Sequence, residues 1–442
     1  MTKPKTLDVL LEGRHIGTLR EERSGKHTFT YDMDSSSSAQ LSLSMPRRMA
    51  PWEGAPVEAY IDGILPDALV VRQRIARMYG VNAHNPFSLL TAVGLDCGGG
   101  VQFVAPDDNG NLILDETVRP LNSTQIAQRL HRISGTQQAS WQSMGEHWSL
   151  NGAHDKIALR FISGQWYEVE GAAATTHIIK PGIHELHEQA FNEYLCMKTA
   201  EHLSIPVAQT DYQVFDDIPA LVSARWDRVV DDRPTPALVR RLHQEDLCQA
   251  MSIMTAQKYQ AEGGPDAVEI IRFLRANGFA NDDVHFFIRA LVFNYLIAGS
   301  DAHAKNYAIL EPAGERPRLA PLYDIASLFP YATQRKDRKL AMSIGGEYSW
   351  ERIDLRHWQR FADTLGGPSD REIVFDTLID LATRTVPAFL QASVEALSKT
   401  TSLPSATDES QKNKGIIATR IQSGIIGQCT RVLKWFSVKG GS

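Results

Sequence analysis

Cysteine is scarce in this chain: Cys97, Cys196, Cys248 and Cys429 are the only four in 442 residues, and none forms a C-x-x-C pair. That spacing excludes a disulfide framework or a cysteine zinc site and suits a reducing cytoplasm. No apolar run reaches the roughly 18 residues a membrane helix needs. The opening MTKPKTLDVLLEG also lacks the apolar core of a signal peptide, so nothing is expected to span a membrane. The glycine-rich loop GxGxxG is missing. Gly98-Gly99-Gly100 is not followed by the Lys-Ser/Thr of a P-loop, which leaves a structural turn as its simplest use and a phosphate nest as the other. HELH sets His184 and His187 three apart, where HExxH needs four, so zinc ligation is set aside. A net charge of −6 argues against broad nucleic-acid binding, though not against local basic patches.

What the chain does have is centred on 291–324. An apolar run, LVFNYLI, feeds GSDAHAKN at 299–306, then YAIL, then LYD at 322–324. Asp301 and Asn306 bracket four residues, and Asp324 follows Asn306 by eighteen. Phosphoryl transfer from ATP needs such a set: one carboxylate to take the acceptor hydroxyl proton, an amide oxygen and a second carboxylate to hold metal. The D-x-x-x-x-N spacing equals that of the protein-kinase catalytic loop. Taken alone it also fits a polar turn with Asp301 as a helix cap.

Taken in order, LDVLLEGRHIGTL reads as a hairpin about Glu12-Gly13-Arg14, and FTYD, AQLSLSMP and PVEAYIDGILPD as further short strand-like pieces. DALVVRQRIARMYG fits an amphipathic helix closed by Gly80, and PFSLLTAVGLDCGGGVQFV a second helix, a glycine turn and a strand. Residues 120–148 are a polar helix and loop. In SLNGAHDKIALRF, 149–161, a polar glycine turn precedes alternating strand residues, and such a turn can lay backbone N–H groups against phosphates. WYEVE and THIIKPG continue as strands, the second ending in Lys180. Glu193, in the helix HELHEQAFNEYLCMKTAEHLSI, is a candidate partner for that lysine or a solvated charge. VAQTDYQVF and PALVSARWDR suit a hairpin leading to Trp226, an aromatic that could stack on adenine or belong to the core. Helices dominate beyond RPTPALV. From Gln411 on there are six Lys/Arg and no acid, with Ile416, Ile417, Ile421, Ile425, Ile426, Val432 and Leu433 at helical spacings. That segment suits a closing helix, a docking helix or a nucleic-acid contact.

Together SLNGAHDKIALRF, THIIKPG, FNEYLCMKTAEHL, RLHQEDLCQAM with KY and GGP after it, GSDAHAKNYAIL and PLYDIASLFP resemble, in order and spacing, the HipA family of bacterial toxin kinases over roughly residues 5–395. LDCGGGVQF is similar to a landmark of that family's N-terminal domain. The resemblance implies an α+β, two-lobed kinase-like fold related to lipid and protein kinases, with a small mixed N-terminal domain and a mainly helical C-lobe. It divides the chain into an N-terminal domain (1–103), a connecting hairpin and helix (104–148), a kinase N-lobe (149–230) and a helical C-lobe (231–396); the linker with a basic amphipathic tail (397–442) is read from composition and has no counterpart in the family pattern. It further implies an ATP- and Mg2+-dependent serine/threonine kinase. The expected target is an aminoacyl-tRNA synthetase, glutamyl-tRNA synthetase in the type member. A HipB-like DNA-binding antitoxin is the expected partner, with operator DNA reached through that complex.

By position, Asp301 corresponds to the catalytic base, and Asn306 and Asp324 to the magnesium ligands. Lys180 corresponds to the phosphate-binding lysine, and Asn151, Gly152, Ala153, His154, Asp155 and Lys156 to the phosphate-covering loop. Trp226, His303 and Lys305 fall at nucleotide contacts, and Ser149 at the autophosphorylated serine. The pattern departs from the family in the loop LNGAHDK and in Ala224, where an acidic residue is usual. Two other readings remain: a kinase for a lipid or small metabolite, and an antitoxin-bound co-repressor with catalysis lost.

Overall fold

The computed structural model describes residues 5–107, 111–135, 148–150, 155–183, 185–231, 233, 237–311, 314–331, 338–403 and 407–437. The chain divides into two compact units. The first comprises Met1–Pro181, Val222–Gln257 and Ala308–Pro317; the second comprises Gly182–Leu221, Lys258–Tyr307 and Arg318–Ser442. No helix among the described residues is long and apolar enough to cross a membrane.

The first unit opens with a five-stranded sheet ordered Trp52–Glu53, His27–Tyr31, Arg14–Glu21, Lys5–Leu11, Val101–Val104. The expected hairpin is present: Glu12 and Gly13 both take positive φ, 51° and 79°, the twist a tight two-strand turn demands. Gly80 closes the helix Leu69–Tyr79 in the left-handed conformation, as the sequence predicts. PVEAYIDGILPD, expected as strand-like, is instead the helix Ala55–Ile64. Proline in its first turn favours helix; Val57, Ala59, Tyr60, Ile61 and Ile64 are all buried, and Glu58 and Asp62, one turn apart, pair with His27 and Arg72 rather than facing solvent. AQLSLSMP holds only an isolated bridge between Ser42 and Met45.

Behind that sheet in the chain, Glu116–Leu121, Gln165–Gly171, Ile157–Ile162 and His177–Lys180 pair successively antiparallel. The glycine triplet is a structural turn. Gly99, at φ 77°, donates its N–H to the Asp227 carboxylate at 2.7 Å, and a Cβ there would stand 2.5 Å from the Gln244 carbonyl oxygen.

Glu245 lies 2% exposed in this unit, its Oε1 accepting from the Leu43 N–H at 2.8 Å. Burial first, then the neighbouring Glu311 carboxyl, pushes its pKa well above the ordinary glutamate range. A folded-state pKa raised this way stabilises the fold fully below the unfolded value of about 4.3, and that contribution is lost as pH rises through the folded value. Glu245→Gln keeps the shape and the acceptor without needing a proton. Its urea midpoint should therefore fall less than the wild-type midpoint between about pH 5 and 8. Parallel pH profiles for the two proteins would refute this.

In the second unit the long helix Asp370–Thr401 packs against Gln189–His202, Asn281–Ile297, Leu355–Leu365 and Asp408–Ser437. The last of these is the basic tail, and it is a closing helix. Ile417, Ile421, Ile425 and Val432 are buried along one face, and at Gly424 a Cβ would meet the Phe329 ring at 2.3 Å. Two of its cations serve the packing: Arg431 donates to the Glu351 carbonyl and the Tyr295 hydroxyl at 2.6 and 2.7 Å. Lys414 is 4% exposed, with Glu188 at 3.6 Å.

Candidate active site

The loop at 299–306 is built by the helix before it. Leu291–Ile297 is wholly buried, and the helix stops at Ala298, which takes φ 52°. Gly299 follows because nothing larger fits: a Cβ would lie 2.2 Å from the Asn294 side-chain oxygen. The chain then turns through Asp301, whose carbonyl accepts from the His303 N–H at 2.8 Å and from Asn306 Nδ2 at 2.7 Å. The second bond fixes the Asn306 amide, so its oxygen is the group it can offer a cation. The Asp301 side chain is 49% exposed, while His303 and Lys305 are buried.

Residues 322–328 are tied to the same helix end. Ser327 Oγ donates to the Ile297 carbonyl at 2.6 Å, and the Leu328 N–H to Ala298 at 3.0 Å. Asn192, from the helix Gln189–His202, brackets the Ser327 backbone with bonds of 2.7 and 3.0 Å. The Tyr323 hydroxyl reaches the Lys305 carbonyl at 2.8 Å. Asp324 takes φ 59°, a conformation uncommon for a non-glycine residue and concentrated at functional positions.

The second unit thus brings together Asp301, His303, Lys305, Asn306 and the segment of Asp324. Tyr259 joins them without having been assigned a role from sequence. Its phenol donates to Asp301 Oδ1, and its ring stands edge-on to His303 at 4.8 Å between centroids. The only sequence signal was the KY dipeptide within a longer motif, and a tyrosine hydroxyl carries no spacing signature. Glu193, in the same unit, is 2% exposed and accepts from Gln189 at 3.4 Å.

The remaining candidates lie in the first unit. Lys180 ends the strand His177–Lys180 half-buried. Asp155 stands 3.6 Å from Arg74, and Lys156 is buried. Trp226 Nε1 donates to Gln244 Oε1 at 2.6 Å. Ser149 is fully buried, its hydroxyl donating to the Ile64 carbonyl at 2.9 Å. Asn151, Gly152, Ala153 and His154 lie outside the described residues.

Among the described residues no cluster of three His, Cys, Asp or Glu side chains could hold a metal alone. One amide oxygen and one carboxylate, from Asn306 and Asp324, suit magnesium, which binds through few protein oxygens and completes its shell with water and phosphate.

Residues 7–104 match the family model for the HipA N-terminal domain, and residues 148–389 that for the HipA-like C-terminal domain. The chain is 32% identical over 373 residues to the putative kinase Y4mE of Sinorhizobium fredii, covering 82% of this chain and 86% of that protein. To the serine/threonine-protein kinase toxin HipA of Shewanella oneidensis it is 29% identical over 320 residues, covering 69% and 70%. A solved structure of the Shewanella oneidensis HipA, HipB and operator DNA complex contains a chain of the same fold. The TM-score is 0.81 at 23% identity, over 98% of this chain and 100% of that one.

Proposed function

The chain belongs to the HipA family of serine/threonine protein kinases, and from that premise we propose that it is the toxin of a toxin–antitoxin module that halts translation by phosphorylating an aminoacyl-tRNA synthetase, glutamyl-tRNA synthetase first among them. One observation carries the reading. Asp301 presents a half-exposed carboxylate while its own carbonyl pins Asn306, so the base and a metal-binding oxygen belong to one hydrogen-bonded loop. Asp301 takes the proton of the acceptor hydroxyl as the phosphoryl group leaves ATP. Asn306 and Asp324 hold magnesium, which when bound neutralises charge on the phosphates. Lys180 adds a cation for the phosphates, with Asn151–Lys156 as the loop that covers them; His303, Lys305 and Trp226 serve the nucleotide. A HipB-like antitoxin restrains the kinase and connects it to operator DNA.

Brief induction in bacterial cells followed by phosphoproteomics tests the substrate. One dominant new phosphosite on a synthetase is expected; a soluble, ATP-binding chain that yields no new protein phosphosite sinks the reading.

Ser149 is the proposed internal acceptor. To receive phosphate it must give up its bond to Ile64 and leave a fully buried position. The product carries a charge of about −1.5 to −2 that cannot return there unpaired. Mass spectrometry should find phosphate on Ser149 in the wild-type protein and none in Asp301→Asn. Phosphate in both would mean that another kinase places it.

A further inference from the structure

Asp301 sits on a surface turn, and an aspartate side chain so exposed has several staggered rotamers open to it. Tyr259, which touches that side chain, is anchored at its backbone and at its ring. The Tyr259 carbonyl accepts from the N–H groups of Glu262 at 2.9 Å and Gly264 at 3.0 Å. The next side chain, Gln260, clamps Ser343 through bonds of 3.1 and 2.7 Å. The preceding carbonyl, of Lys258, accepts from the Ala304 N–H at 3.3 Å, tying this frame to the loop that carries Asp301. The phenol ring is steadied further by its edge-on contact with buried His303.

Resting on the reading of Asp301 as the base, we infer that Tyr259 is a positioning residue for phosphotransfer: its hydroxyl holds Oδ1 of Asp301 and so presents Oδ2 to the acceptor. A general base acts only within hydrogen-bond reach of the proton it takes. Misplacement by about 1 Å costs on the order of 10² in rate. Since Tyr259 acts through Asp301, its removal lowers the rate of the chemical step and leaves ATP binding alone.

The test uses Tyr259→Phe, which keeps the ring against His303 and deletes only the hydroxyl. The readout is the initial rate at which the purified full-length chain incorporates label from γ-phosphate-labelled ATP with magnesium. The saturating rate should fall about 10- to 100-fold, with the half-saturating ATP concentration and the thermal midpoint unchanged. In an Asp301→Asn background the same substitution should cost nothing more, because its effect runs through the missing carboxylate. A raised half-saturation, a lowered midpoint or a loss additive with Asp301→Asn would assign Tyr259 a merely structural role and overturn the inference. Wild-type rates for Tyr259→Phe beside an inactive Asp301→Asn would overturn it while sparing the base. Full activity of Asp301→Asn, or no incorporation by the wild type, would remove the base or the kinase reading itself.

Discussion

Asp301→Asn is expected to lower phosphotransfer by about 10²–10⁴ while the protein stays folded and binds Mg-ATP. The asparagine matches the aspartate in shape, still offers an oxygen to Tyr259, and leaves the backbone carbonyl that anchors Asn306 untouched. What it loses is the ability to accept a proton. Asp324→Ala should behave in the opposite way. It removes a carboxylate proposed to hold magnesium, so Mg-ATP affinity falls, whereas nucleotide binding measured without magnesium changes little. Calorimetry with and without magnesium, beside a phosphotransfer assay, separates the two. Equal defects in both variants, or a fully active Asp301→Asn, would mean that the two carboxylates do not divide the work this way.

How much of this could be read in advance depended on sequence distance. The loop of Asp301 and Asn306 is local: the two residues share a turn, and the buried helix that ends at Ala298 announces itself as LVFNYLI. Helix Leu69–Tyr79 was legible through its apolar period and its glycine cap. Helix Ala55–Ile64 was not, because burial on several faces erases the period. Tyr259 meets Asp301 across 42 residues of chain, and Asn192 meets Ser327 across 135, so no spacing rule links them. The basic tail shows a further limit. Its cations look free in the sequence, yet Lys414 and Arg431 are spent on Glu188 and on the carbonyls of Trp350 and Glu351.

Arg225, Asp227 and Arg228 carry no burial signal in the sequence, where three charged residues flank Trp226 at the end of a hairpin, yet all three are buried. Around them Asp96 and Asp227, 1% and 2% exposed, face Arg225, Arg228 and Arg241. Asp96 is shared by all three guanidiniums, at 3.4, 2.8 and 3.2 Å, and also accepts from the Thr175 N–H and hydroxyl at 3.0 and 2.7 Å. Burial alone would raise its pKa, but Arg228, then Arg225 and Arg241, hold it well below the ordinary carboxylate range. Burial and the neighbouring Arg225 lower Arg228 to about 10, which leaves it charged at neutral pH. Through this network the turn at 96–99 is sewn to Thr175 and to the connector at 225–228, within the first unit.

Asp96→Asn preserves the side-chain volume and removes the charge, leaving the buried guanidiniums of Arg225 and Arg228 and the part-buried one of Arg241 with one carboxylate among them. Breaking a buried ion pair from one side typically costs about 3–5 kcal/mol, because the stranded charge keeps its desolvation penalty. We expect a loss of that order in urea unfolding at pH 7, large against the ~5–15 kcal/mol that holds a typical domain together. The acid limb gives a second readout. A depressed folded-state pKa contributes stability above the unfolded value of about 3.9, and that contribution is lost as pH falls toward the folded value. Wild-type stability should therefore decline below about pH 4 more steeply than that of Asp96→Asn, and the two curves should converge. A substitution that costs under about 1 kcal/mol at pH 7, with parallel acid limbs, would mean that Asp227 alone neutralises the cluster.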